Sequence, residues 1–372
     1  VQGAVMKNLF ICWRPIQIIN ALYYVFDDVE HSRGNSDLIV LNDFYQSEEI
    51  ASRLRETTLF RNVYYVEMEK NRSFLDVILH TLFPGYFLKK KFGKTFDYHY
   101  DKLIASGWNY LVYKFAEANQ HKLRVVFSED GIGSYLGDAR YFEFIGPRQR
   151  IMKTLLNRGP FSVKIAVQYV ALPELCNAEK YDYPIEKLKI DFENKRFVSL
   201  VDQVFHTQET QLDAKGKCII LDQLVDNNLS ENNSRTKVEL YTYISDYLKN
   251  VRLICRKHPN DHTDEIEKAL HMEYDDSRHP WELIALHSIH DKDILVSFHS
   301  TSTIVPKLTF GKEPYVICLY KILDFTNTDE IIEVDLFFQK VRSQYMDPEK
   351  IIIPETMDAL RDKLIQLSSD AV

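Results

Sequence analysis

The chain has 372 residues, 45% of them hydrophobic, and its 54 acidic and 46 basic side chains leave a formal net charge of -8. That length exceeds one ordinary core and predicts two α/β domains, which bury about three quarters of the unfolded surface without a disulfide or metal. The acidic balance excludes a general nucleic-acid binder.

In chain order, Lys7–Cys12 has the pattern of a buried strand, Trp13-Arg14-Pro15 breaks it, and Ile16–Phe26 carries helical apolar spacing. Strand, tight loop and helix open a doubly wound domain. Asp37–Leu41 and Val63–Val66 read as further strands around a helix over Glu48–Leu59. Two stretches, Phe74–Lys94 and Arg140–Lys164, mix lysines and arginines with aromatics. Either suits an anionic membrane surface or polymer, and equally a solvated helix face with its aromatics turned inward. Leu123–Phe127 is a short apolar strand ending in Ser128-Glu129-Asp130-Gly131-Ile132-Gly133.

Pro184–Phe205 reads as charged and helical, and His206–Gly216 as a polar linker. Strand character restarts at Lys217–Leu221, followed by a helix over Lys237–Lys249 and a strand over Val251–Cys255. A helix over Trp281–Ser288, strands over Ile294–Phe298 and Tyr315–Leu319, and an amphipathic helix over Thr356–Leu367 complete the pattern. The domains are therefore placed at 6–205 and 217–355, with linker 206–216 and a closing helix in 356–372. The five cysteines form no CxxC pair and read as reduced core residues, which points to the cytoplasm. No apolar run reaches the roughly 20 residues of a membrane span, and no secretory leader is recognisable. Met6 reads as the natural start, with Val1–Val5 an appended remnant.

The chemistry concentrates at three places. Glu129 and Asp130 are adjacent carboxylates at a strand end beside Gly131 and Gly133, and crowding them raises one pKa toward that of a base. A purely capping acidic turn is the competing reading, and the strand-end position with two glycines favours function. A dinucleotide fingerprint is weak here, because Leu136 stands where the third glycine belongs. His258 follows a strand, precedes Pro259, and has Arg256 and Lys257 beside it, cations suited to a phosphate. His279-Pro280 follows no strand and reads as a helix start. Ser300, Thr301, Ser302 and Thr303 close the Ile294–Phe298 strand, where hydroxyls and free backbone N–H groups form a phosphate cradle. Asp291-Lys292-Asp293 precedes a strand and reads as a turn; with no His/Cys cluster, no metal is expected.

Taken together, Glu129-Asp130-Gly131, Lys257-His258-Pro259 and Ser300-Thr301-Ser302 resemble the acidic-acidic-glycine, His-Pro and serine motifs of bacterial sialyltransferases. The opening Cys12-Trp13-Arg14-Pro15-Ile16-Gln17-Ile18-Ile19-Asn20-Ala21 is similar to the start of glycosyltransferase family 52. That family holds lipooligosaccharide and capsule sialyltransferases and some hexosyltransferases. Arg14 departs from the small hydroxyl residue of the pattern, and Ser300-Thr301 replaces a Ser-Ser pair. The resemblance implies an α/β fold of GT-B type, two Rossmann-like doubly wound domains facing across a cleft, the C-terminal one holding a CMP-sugar. It implies Asp130 as general base, His258 as the group assisting the departing phosphate, and Lys257, Pro259, Ser300, Thr301 and Ser302 as donor-binding residues. Glu129, Gly131, Gly133, Arg14 and Gln17 fall on the acceptor side or its loop.

The implied reaction moves sialic acid from CMP-sialic acid to a galactose- or sialic-acid-terminated glycan of a bacterial surface, inverting the anomeric centre without cofactor or metal. A UDP-sugar hexosyltransferase, a polysialyltransferase and a non-catalytic glycan-assembly protein are the alternatives. Peripheral contact with the inner face of the membrane and pairing as a homodimer stay open.

Overall fold

The structure, a computed structural model, describes residues 6–27, 34–68, 76, 79–80, 82–119, 122–131, 133–137, 164–207, 216–225, 229–230, 236–258, 261, 265–270, 272–275, 277 and 279–370. The chain divides into two compact units, Val1–His206 and Thr207–Val372.

The first unit is built on strands β1 (Asn8–Cys12), β2 (Ser36–Leu41), β3 (Asn62–Val66), β4 (Lys102–Ala105), β5 (Arg124–Ser128), β6 (Ile165–Val170) and β7 (Ile185–Lys187). They form one parallel sheet in the order β3-β2-β1-β4-β5-β6-β7. Parallel strands need crossovers, which place helices on the sheet faces and make the strands apolar on both sides. Accordingly Leu9, Ile11, Leu103, Val125 and Phe127 pack with helix Tyr110–Ala118, while Phe10, Ile104 and Val126 face the other way. On that second side lies helix Pro15–Asp27, whose proline stands in the first turn, where no N–H is needed. Its Tyr23 meets Phe197 of helix Lys195–Phe205 edge-on, with ring centroids 5.0 Å apart.

The second unit repeats the plan with β8 (Lys217–Leu221), β9 (Arg252–Arg256), β10 (Glu273–Tyr274), β11 (Ile294–Ser297), β12 (Tyr315–Cys318) and β13 (Ile351–Ile352). The order is β10-β9-β8-β11-β12-β13, again parallel. Cys218 and Ile220 enter one apolar cluster and Ile219 and Leu221 another, so the period of two sorts a fully buried strand between both faces. Leu360, Leu364 and Leu367 of helix Met357–Asp370 belong to the first of these clusters, so the closing helix is part of the second unit's core.

In each sheet the chain reverses direction beside its first strand, between β1 and β4 and between β8 and β11. Such a reversal splays the loops at the carboxyl ends of the strands and opens a crevice there. The Glu129-Asp130 turn, the His258 loop and the Ser300 loop all leave carboxyl ends.

One expectation fails. Pro184–Phe205 is not continuously helical: Ile185–Lys187 pairs with β6 as an edge strand, and the helix begins only at Lys195. Charges at Glu186 and Lys187 suit an edge strand, and they mimic a helix face in the sequence. In the Phe74–Lys94 stretch, helix Pro84–Phe92 buries Phe87 and Leu88 but leaves Tyr86 exposed, with Lys89, Lys90 and Lys91 in its last turn. The Arg140–Lys164 stretch, except Lys164, lies outside the described residues, as does the 208–215 part of the linker. Among the described residues no helix is long and apolar enough to cross a membrane. All five cysteines are free and buried.

Candidate functional site

In the first unit the two chain segments singled out by their motifs meet. Strand β1 delivers Arg14 and Gln17 on the loop and first turn of helix Pro15–Asp27, and β5 delivers Glu129 and Asp130. Gly131 has φ 94, a left-handed backbone that favours glycine and turns the chain so that Ser134 Oγ accepts the Asp130 N–H at 2.8 Å. Gly133 opens the short helix that follows, and a Cβ there would meet nothing within 4 Å. Arg14 Nη1 stands 3.9 Å from Asp130 Oδ1. The Trp13 N–H donates to Gln17 Oε1 at 2.7 Å, which fixes the amide so that its Nε2 is the end left to face the carboxylate.

The neighbouring carboxylates are held differently. Glu129 is 8% exposed and its Oε2 accepts the Ala171 N–H at 2.7 Å. Burial, opposed by hydrogen bonds from Ala171 and Tyr135 and aided by the Asp130 charge, pushes its pKa up to about 7. Burial also raises Asp130, against the pull of Arg14 and Gln17. Its side chain keeps 16% exposure, and its Oδ1 makes no hydrogen bond. The thiol of nearby Cys12 is pushed far up by burial, so it stands as a neutral group and not as a nucleophile.

A stability consequence follows for Glu129. Its folded pKa, about 7, lies above the ordinary 4.5, so the folded state holds the proton more tightly. That stability is fully present below the unfolded pKa and is lost as pH rises through about 7. Glu129→Gln keeps an acceptor for Ala171 and cannot ionise. Calorimetric melts from pH 4.5 to 8 should therefore show a wild-type decline that the variant lacks, on the order of 3 kcal/mol at most across that window. Parallel melting curves would contradict the buried, proton-holding carboxyl.

In the second unit, β9 and β11 flank β8, so the His258 and Ser300 loops leave the same edge of the sheet. Gln223, just past β8, ties the β11 exit: its Oε1 accepts from Ser297 Oγ at 3.0 Å and from His299 N–H at 2.8 Å. Lys237 Nζ reaches Asp222 Oδ2 at 3.3 Å, the Gln223 carbonyl at 3.4 Å and Asp261 Oδ2 at 3.4 Å. Asp261 N–H in turn donates to the His258 carbonyl at 2.8 Å. Lys237 is placed by a capping box, in which Thr236 and Glu239 exchange side-chain and backbone hydrogen bonds at the helix start. Burial raises Asp222 to about 6 in spite of Lys237.

The hydroxyl run divides its duties. Ser300 Oγ caps the turn by accepting from Ser302 N–H at 3.2 Å, and buried Thr303 donates to the Ser300 carbonyl at 2.8 Å. Trp281 Nε1 donates to the Ser302 carbonyl at 2.7 Å. Thr301 and Ser302 stay partly exposed. Arg256 does not serve as a spare cation for a phosphate: it is engaged by Asp275 and by the His279 carbonyl. Lys257 and His258 are described at the β9 exit, and Pro259 lies outside the described residues. His279-Pro280 leads into helix Trp281–Ser288 as its helix-start reading expects. Asp291 and Asp293 accept from backbone N–H groups and Lys217 at the amino end of β11, a turn with both carboxylates in use.

Several residues at these sites were not singled out by motif. Asn20, Ser106 and Ser128 surround the Glu129 turn, with the serine hydroxyls 3.0 Å apart. Ser106 follows β4 and Ser128 ends β5, two strands in register, a signal readable only once β4 is recognised. Lys237 has a signal in the Thr-x-x-Glu box around it, whereas Asp222 and Gln223 carry none beyond following a strand.

No family model matches the sequence, and no curated protein matches it. Solved structures do. The α/β-galactoside α-2,3-sialyltransferase of Photobacterium phosphoreum matches with a TM-score of 0.51 and 11% identity over 94% of this chain and 99% of that one. A sialyltransferase of Photobacterium damsela gives 0.51 and 10% over 94% of this chain and 81% of that one. The UDP-GlcNAc 2-epimerase of Neisseria meningitidis gives 0.46 and 13% over 98% of both chains. With two parallel Rossmann-type sheets in one chain, the matches to the two sialyltransferases identify the GT-B fold expected from the motifs.

Proposed function

We propose that the chain is an inverting sialyltransferase that moves sialic acid from CMP-sialic acid to a galactoside or sialoside hydroxyl of a bacterial capsule or lipooligosaccharide. The observation that carries this reading is the Asp130 carboxylate, set just past a strand end in a GT-B fold and still 16% exposed. By pKa alone Glu129 is the better base near neutral pH. Geometry decides otherwise, since Glu129 is committed to Ala171 and enclosed, and a base must reach the proton it takes.

In this reading the acceptor hydroxyl gives its proton to Asp130 while its oxygen bonds to the anomeric carbon of the sialyl unit. The bond from that carbon to the phosphate oxygen breaks, and its electron pair leaves with CMP. His258 donates to the departing phosphate, which Lys257, Ser300, Thr301 and Ser302 hold; Pro259 shapes the same loop. Arg14 keeps the base ionised, and Gln17, Gly131 and Gly133 border the acceptor. One displacement inverts the centre without a metal. In this scheme the first unit carries the base and the second the leaving-group contacts.

Calorimetry with CMP and UDP, followed by mass analysis of products from CMP-sialic acid and a panel of galactosides and sialosides, tests the reading. CMP is expected to bind at least about tenfold tighter than UDP, with a sialyl mass added to a galactoside. Tight UDP binding with none of CMP would move the donor to a UDP-sugar and the activity to a hexosyltransferase. Neither donor hydrolysis nor transfer, with CMP still bound, would leave a non-catalytic glycan-assembly protein.

A further inference from the structure

Strand β8 has a buried lysine cluster at each end. At its amino end Lys217, wholly buried, donates to Asp293 Oδ2 at 2.9 Å and to the Ser288 carbonyl. At its carboxyl end Lys237, 3% exposed, stands between Asp222, 5% exposed, and Asp261, 8% exposed. The three N–H donors of this ammonium find acceptors in two places: Asp222 and the Gln223 carbonyl just past β8, and Asp261 in the loop after β9. Tyr241 Oη, one turn along the same helix, donates to Asp222 Oδ1 at 3.2 Å, so helix Lys237–Tyr247 grips the β8 exit at both residues.

Buried charges are costly, and well-packed apolar residues often stabilise a core as well as an ion cluster does. What the cluster supplies is fixed geometry, and the geometry fixed differs at the two ends of β8. Lys217 ties that strand to the turn before β11, on the sheet edge opposite the His258 and Ser300 loops. Lys237 ties those loops themselves. Asp261 accepts from Lys237 with its side chain and donates its N–H to the His258 carbonyl at 2.8 Å. Gln223 accepts from Lys237 with its carbonyl, and its side chain receives the Ser297 hydroxyl and the His299 N–H, immediately before Ser300.

We propose that Lys237 is a positioning residue for the leaving-group step: through Asp261 it sets where the His258 imidazole stands, and through Gln223 it keeps that loop in register with the Ser300 loop. The inference rests on the role given to His258 above and deepens it. The lysine acts through these neighbours and not on the substrate. Its effect falls on the rate more than on donor affinity, because misplacing a reacting group by about 1 Å costs on the order of 10² in rate.

The test sets Lys237→Met against Lys217→Met, with Asp261→Ala as the variant that breaks only the branch to His258. Asp261→Ala leaves Lys237 paired with Asp222 and keeps the Asp261 N–H, so it decides the matter if Lys237→Met fails to fold. Each protein is followed by thermal melts, CMP calorimetry, transfer from CMP-sialic acid to lactose, and the His258 imidazole NMR signals of isotope-labelled histidine, assigned by their loss in His258→Ala. Lys237→Met and Asp261→Ala should each lower kcat by roughly 10–10² while CMP affinity changes less than about threefold, and both should shift the His258 signals. The double variant should lose no more than Lys237→Met alone, since both act through one connection. Lys217→Met should melt lower and keep the wild-type kcat and His258 signals. An equal kcat loss in Lys217→Met, wild-type kcat in folded Asp261→Ala, or an affinity loss that matches the rate loss would overturn the proposal. If wild type transfers no sialyl unit, the reaction assignment fails on that result alone, and the NMR signals judge the positioning: a His258 shift in Asp261→Ala but not in Lys217→Met upholds it, and no shift overturns it.

Discussion

Asp130→Asn is expected to lower kcat for sialyl transfer by about 10²–10⁴, the usual contribution of a positioned general base. The substitution is nearly isosteric and removes a carboxylate that is costly to ionise where it sits, so folding should not suffer. Burial is the largest influence on Asp130 and raises it above the ordinary carboxylate range, with Arg14 and Gln17 pulling the other way. The base works only when ionised, so kcat/KM should rise with pH on an acid limb displaced upward from that of a free aspartate. The asparagine variant should lose that limb. Glu129→Gln separates the two carboxylates: it should retain the limb, because Glu129 is bound to Ala171 and does not face the reacting hydroxyl in this scheme. Near-native transfer by Asp130→Asn, or loss of the limb only in Glu129→Gln, would reassign the base.

The fold was legible wherever an element buries itself by its own pattern. Lys217–Leu221 and Trp281–Ser288 are found at the expected bounds because a continuous apolar run or a helical repeat is present in the residues themselves. β4, Lys102–Ala105, has four residues, while β10 and β13 have two each, too few to display a period. Such strands exist because a neighbouring strand pairs with them, and pairing is not a local property. Helix Tyr110–Ala118 hides for a related reason: its aromatics and Lys114 suit several environments, and tertiary packing selects one. The chemistry at Asp130 and His258 was readable from type and position, since acidic and His-Pro motifs after strands leave a trace in sequence. Partners such as Asn20, Gln223 and Lys237 were not, because hydrogen-bonded neighbours 109 residues from Glu129, in the case of Asn20, share no sequence spacing. Arg256 is the reverse case, a cation beside His258 in sequence that Asp275 and His279 engage in space.

His258→Ala should lower kcat by about 10²–10³, within the range for a group that hydrogen-bonds or protonates a leaving oxygen. The backbone of His258 itself is held in place. The Asp261 N–H holds the His258 carbonyl, Lys237 holds Asp261, and the same lysine reaches the Gln223 carbonyl, whose side chain orders the start of the Ser300 loop. An imidazole on such a support can meet a phosphate without first paying to order its own backbone. His258→Asn, which can donate a hydrogen bond but cannot transfer a proton, should recover part of the rate. CMP affinity by calorimetry provides the needed contrast: a rate loss far larger than the affinity loss places His258 at the departing phosphate in the transition state, whereas equal losses would make it a ground-state binding residue. Unchanged turnover in His258→Ala would remove it from the mechanism altogether, and the protonation of CMP would then fall to solvent or to Lys257.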